Sequence, residues 1–188
     1  MMKENKPLKS ILFVSRKKDN KHIPNFKERK YVRLTTKTAE ELKKDFDHWA
    51  AKGPEDEFCR FYMKINKRDP IKTKKNLIKE LIFNDNFDLV AAEAKIAGIA
   101  NKKECAAERK WLFDFDDTED KLEEFINDIK DCDKASVPLD IEIHKTPNGH
   151  AVIVSRGFDT RELMKKWSST VELKKDEMLC VDWTGKKN

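Results

Sequence analysis

The chain has no apolar run approaching the ~18 residues of a membrane-spanning helix, no Cys-x-x-Cys pair, no internal repeat and no low-complexity tract. The first absence excludes a helical membrane span. The second argues against a zinc cluster, because Cys59, Cys105, Cys132 and Cys180 are scattered singly. Met1 to Ser10 is polar and lysine-rich and leads into no signal-peptide core, so the unpaired thiols fit a reducing cytoplasm. Apolar residues are also sparse, at 38% against 40% charged, yet eleven Phe and four Trp supply core material. The expectation is a folded chain with a heavily charged surface. Its 188 residues suffice for one compact domain or two small, tightly packed ones. The net charge of +5 permits an anionic partner without demanding one.

The first half reads as mixed α and β. Ile11 to Val14 and Tyr31 to Leu34 are short strands. Thr38-Ala39-Glu40-Glu41 is a capping-box signature, with Leu42, Phe46 and Trp49 following at helical spacing until Gly53-Pro54. Phe58 to Arg68 alternates, with Phe61, Met63 and Ile65 on one face and Arg60, Tyr62, Lys64 and Arg68 on the other. That pattern predicts a half-buried strand whose exposed basic face can touch phosphate. Asp69-Pro70 opens a helix with Leu77, Ile78, Leu81 and Ile82 as its buried stripe, and a second helix covers Asp88 to Ala100. Asn101 to Lys110 is a charged connector.

The second half alternates between the two periods more plainly. Trp111-Leu112-Phe113-Asp114-Phe115-Asp116-Asp117-Thr118 begins as a buried strand and ends in three carboxylates. A helix follows over 118–131, then a strand over 139–145, an Asn148-Gly149 turn and a returning strand over 150–155. A helix over 159–167 and a strand over 178–183 complete the order βαββαβ, the ferredoxin-like arrangement. The expected fold class is α+β. An N-terminal α/β subdomain, 1–105, packs on an RRM-like subdomain, 106–188, as one unit.

Asp114 and Asp116 sit two apart in a strand, so both leave the same face about 7 Å apart and repel unless a cation lies between them. A Mg²⁺ or Mn²⁺ site for phosphate chemistry needs such hard oxygen ligands. In the βαββαβ topology the hairpin carries His150 towards this pair. His144 falls on the polar face of its strand and reads as solvated. Trp167 and Trp183 read as core.

An apolar strand ending in Asp-x-Asp, then Lys145-Thr146-Pro147-Asn148-Gly149-His150, then Leu179-Cys180-Val181-Asp182, resembles the three-motif pattern of the archaeo-eukaryotic primase superfamily, the primase-polymerases. The resemblance covers roughly Trp111 to Trp183. It implies that Asp114, Asp116 and Asp182 hold Mg²⁺ or Mn²⁺ and that His150 contacts the incoming nucleotide's phosphates. Lys145, Arg60, Lys64 and Arg156 are candidates for neutralising charge. The implied activity is two-metal nucleotidyl transfer on a single-stranded or primed template, with replication partners such as a helicase.

Asp114-Phe115-Asp116-Asp117-Thr118 also resembles the Asp-x-Asp-x-Thr nucleophile motif of haloacid dehalogenase-type phosphatases, which would require a parallel sheet. A third reading is a non-catalytic RRM-like nucleic-acid-binding domain.

Overall fold

The computed structural model describes residues 7–185, and these form an α+β protein with two four-stranded antiparallel sheets. The strands are β1 (Lys9–Ser15), β2 (Arg29–Thr35), β3 (Arg60–Lys64), β4 (Trp111–Phe115), β5 (Ile141–Lys145), β6 (His150–Val154), β7 (Val171–Lys175) and β8 (Met178–Trp183). The α-helices are α1 (Ala39–Ala50), α2 (Pro70–Phe83), α3 (Ala92–Ala100), α4 (Leu122–Cys132) and α5 (Arg161–Trp167). The first sheet has the order β2-β1-β3-β8, the second β5-β6-β4-β7.

The capping box starts α1 as its residues dictate. Thr38 N–H donates to Glu41 Oε2 at 2.7 Å, and Glu41 N–H donates to Thr38 Oγ1 at 3.3 Å. Leu42 and Phe46 then pack on Ile11, Phe13 and Phe61, with Phe13 and Phe61 edge to face at 4.8 Å. The second sheet buries Phe113, Phe115, Val152 and Val154 under Phe125 and Ile129 of α4 and Leu163 and Trp167 of α5. Trp167 Nε1–H donates to Asp128 Oδ2 at 2.6 Å, which satisfies the polar tip of a buried ring. A third, smaller cluster joins the two sheets: Ile65, Leu112, Ala151, Ile153 and Leu179.

Three expectations are corrected here. The strand over 178–183 does not complete the sheet built on β4. A strand that the sequence reading missed, Val171–Lys175, pairs with β4, and β8 then returns to pair with β3 in the first sheet. The last element of the expected 106–188 subdomain is thus part of the N-terminal sheet. The alternating stretch 58–68 is a strand only over Arg60–Lys64, and neither of its faces is freely exposed. Arg60, Lys64 and Arg68 are all buried. Finally, α2 does not bury its apolar stripe: Thr73 is its buried residue, while Ile78, Leu81 and Ile82 are exposed.

Candidate functional site

Alternation along β4 sends Trp111, Phe113 and Phe115 towards the helices and leaves Leu112 and Asp114 on the opposite face, where Leu112 is buried in the cluster with Ile65 and Leu179 that joins the two sheets. Cross-strand partners share a face. Asp114 lies opposite Ala151 on one side and Glu172 on the other, and His144 lies opposite Ala151. One row across that face therefore reads His144, Ala151, Asp114, Glu172.

The carboxylates of Asp114 and Glu172 share a cation, and it belongs to the chain. Lys174 Nζ stands 2.5 Å from Asp114 Oδ2 and 3.2 Å from Glu172 Oε2. Burial pushes the Lys174 ammonium down, but the hydrogen bond and charge of Asp114, with help from Glu172, outweigh it and raise it above its ordinary value. Asp116 follows the last residue of β4, and its N–H donates to Thr170 O at 2.8 Å.

Asp182 sits elsewhere. It lies on β8 opposite Phe61 in the first sheet, and Lys43 Nζ donates to its Oδ2 at 2.8 Å. Asp182 therefore belongs to a different sheet from Asp114 and the adjoining Asp116, and among the described residues no three His, Cys, Asp or Glu side chains are arranged to hold a metal ion. As it stands, the Asp114–Asp116–Asp182 set does not fit a two-metal centre. The carboxylate that does share a row with Asp114 is Glu172. The signal that could have found it was the alternation Val171-Glu172-Leu173-Lys174.

His150 is brought beside β4 but onto the other face. It pairs with Phe115, whose ring lies in the helix-covered core, and its Nδ1 is buried without a hydrogen-bond partner. The turn before it is pressed against the end of β4: a Cβ on Gly149 would stand 2.3 Å from Phe115 O, so only glycine fits. His144, read as solvated, is the histidine on the Asp114 face. Its Nε2 lies 3.5 Å from Glu142 Oε2.

Four of the basic candidates serve the fold. An Arg60 guanidinium N–H donates to Asp19 Oδ1 at 3.1 Å, and the group lies over the Phe58 ring. Lys64 Nζ donates to the Asp176 carbonyl, and burial holds its ammonium below the ordinary value. Arg68 is clamped by Asp176. Arg156 donates to Asp133 Oδ2 at 2.5 Å and to the carbonyls of Val137 and Pro138.

Lysines outside that strand gather elsewhere. A cleft of about 850 Å³ opens between the start of α1, strand β8 and the β5–β6 hairpin. Lys9 of β1, Lys37 before α1, Lys110 before β4 and Lys145 at the end of β5 line it. Burial first, and then the nearby Lys110 and Lys67 charges against those of Glu108 and Glu142, hold the Lys9 ammonium below its ordinary value. Lys110 pairs with Glu142 at 2.8 Å, and Lys37 stands 3.7 Å from Asp45. Lys145 makes no salt bridge to a described residue.

No protein-family model, no curated protein and no solved structure matches this chain.

Proposed function

We propose that this chain is a nucleic-acid-binding protein that grips phosphate backbone in the cleft between its two sheets. The observation that carries this reading is the convergence of Lys9, Lys37, Lys110 and Lys145, from four separate segments, on one concavity. Glu40, Glu41, Glu142 and Asp182 line the cleft as well, but Thr38 N–H engages Glu41, Lys110 engages Glu142 and Lys43 engages Asp182. A polyanion bound to the lysines releases its own counterions. The cleft volume is of the size that takes a nucleotide.

We read the half built on β4 to β7 as ferredoxin-like, because the order β5-β6-β4-β7, with α4 and α5 packed on one face, matches that arrangement. RRM-type sheets stack bases on aromatic residues of their central strands. The corresponding face here carries Leu112, Ala151 and Ile153, buried where the two sheets meet, and the partly buried Asp114 instead. Recognition therefore runs through phosphate, with little base selectivity. Fluorescence anisotropy with labelled single strands tests this. Binding should weaken steeply with salt, and Lys145→Glu should lower affinity several-fold and flatten the salt slope by about 0.7, one phosphate contact. Salt-independent binding, or none in low salt, overturns the reading.

A second reading, a primase-polymerase-type nucleotidyltransferase, is favoured by the position of Asp114 at the end of the first strand of that half, with Glu172 beside it. On this reading Asp114, Asp116 and Glu172 are the carboxylates concerned, and Mg²⁺ or Mn²⁺ takes the place of the Lys174 ammonium. Metal-dependent nucleotide incorporation on a primed template that is lost in Asp114→Asn and in Glu172→Gln supports it. Absence of incorporation leaves the binding reading alone. The phosphatase reading has less to support it, since both neighbours of β4 run antiparallel.

A further inference from the structure

We infer that a second basic groove, between α2 and the segment entering β4, extends the cleft into a continuous track for polynucleotide backbone. This rests on the nucleic-acid reading above and adds to it a second site and a minimum ligand length.

The groove encloses about 1230 Å³. Lys75 and Lys79 line one wall, one turn apart on α2, and Lys103 and Arg109 line the other. None of these four makes a salt bridge to a described residue. The acids that share the groove are largely committed. Asp176 is held by Arg68, and Glu108 stands 2.7 Å from Lys67, which helps keep its carboxyl below the usual range although burial alone would raise it. Glu104 also lines the groove, so what remains is a concavity in which cations outnumber acids.

The placement of α2 argues that these lysines are more than a solvated helix face. The helix is fastened by its ends and edges: Asp69 caps Ile71 and Lys72 at 2.9 and 3.0 Å, and Asn76 Nδ2 donates to Cys105 Sγ at 3.2 Å. It contributes little to the core, since Ile78, Leu81 and Ile82 remain exposed. Its cationic side is nevertheless turned inwards, across a groove, towards further cations. Lys110 lines this groove and the cleft alike, so the two depressions meet at one residue. A ligand that follows both must carry charge along its length, as a polynucleotide does and a single nucleotide does not.

The test uses the full chain and fluorescein-labelled oligothymidylates of about 5 and about 20 nucleotides, shorter and longer than one compact binding site. Lys75→Glu combined with Lys79→Glu should weaken the long strand at least tenfold. It should also reduce the salt slope by about 1.4, two single-strand phosphate contacts, and leave the short strand unchanged. Lys103→Glu with Arg109→Glu, on the opposite wall, should do the same, which guards against a folding defect in either variant. Lys145→Glu should weaken both strands. If both double variants bind the long strand like the parent protein, the track is wrong. It is also wrong if they lose only binding to phosphatidylserine vesicles. If they lose the long strand while Lys145→Glu binds normally, the groove stands and the cleft reading falls. If the parent protein binds neither strand, both fall.

Discussion

The Arg68 guanidinium, 1% exposed, is clamped in two-pronged fashion by the Asp176 carboxylate, 108 residues further along the chain. Nη1–H donates to Oδ2 at 3.1 Å and Nη2–H to Oδ1. Asp176 also takes Asn66 Nδ2–H on Oδ1 at 3.1 Å and Lys64 Nζ–H on its carbonyl. It occupies the turn between β7 and β8 at φ +56°, so one residue fastens the passage from the second sheet back to the first.

Asp176→Asn removes the charge and keeps a residue tolerant of positive φ. It leaves a buried guanidinium without its counter-ion and should cost about 3–5 kcal/mol. Urea denaturation measures this. A loss below about 1 kcal/mol would mean that the pair does not hold the two sheets together.

Lys174→Ala removes the ammonium between Asp114 and Glu172, which stand opposite each other across β4 and β7. Opposed like charges destabilise a strand pair, so the melting temperature should fall. Mn²⁺ should restore part of it in this variant far more than in the parent protein, by linkage to the vacated place. Equal Mn²⁺ shifts in both proteins would show that the metal binds elsewhere.

Asp19 reports on acid stability. Burial alone would raise its carboxyl, but hydrogen bonds and charge from Arg16 and Arg60 outweigh burial and hold it below its ordinary value of 3.8. A carboxyl lowered in the folded state stabilises above the unfolded value, and that contribution disappears as pH falls through the lower folded one. Asp19→Asn should therefore destabilise the protein at neutral pH, with the gap to the parent closing below pH 3.8. A gap independent of pH in thermal melts would contradict this.

Two thiols should be inert in the folded protein. Burial, reinforced by Glu57, pushes the Cys59 thiol up to about 11, and burial pushes Cys180 up to about 12 against the opposing charges of Arg60 and Arg16. A maleimide at neutral pH should label Cys132, which is partly exposed, well before either, and all four only after denaturation. Mass spectrometry of timed samples checks the order. Rapid native labelling of Cys180 would mean that β8 opens readily.

Local signals settled much of this protein in the sequence itself. The capping box at Thr38 and Glu41, the Asn148-Gly149 turn and the buried run into Asp114 depend on neighbours a few residues away, and each element forms where those neighbours put it. Sheet membership and side-chain environment required the tertiary structure. An alternating strand does not say which edge it will join, so β7 took the place beside β4 and β8 returned to β3, separating Asp182 from Asp114. Alternation likewise marks two faces without saying what covers them. The basic face of β3 was covered, and its cations became Arg60–Asp19 and Lys64–Asp176 contacts. Register decided the histidines: pairing Phe115 with His150 sends that ring to the core side and puts His144 in the Asp114 row, because side chains reverse face at every residue of a strand. The lysine-lined cleft is tertiary entirely, since Lys9, Lys37, Lys110 and Lys145 meet only once four segments of the chain have folded together.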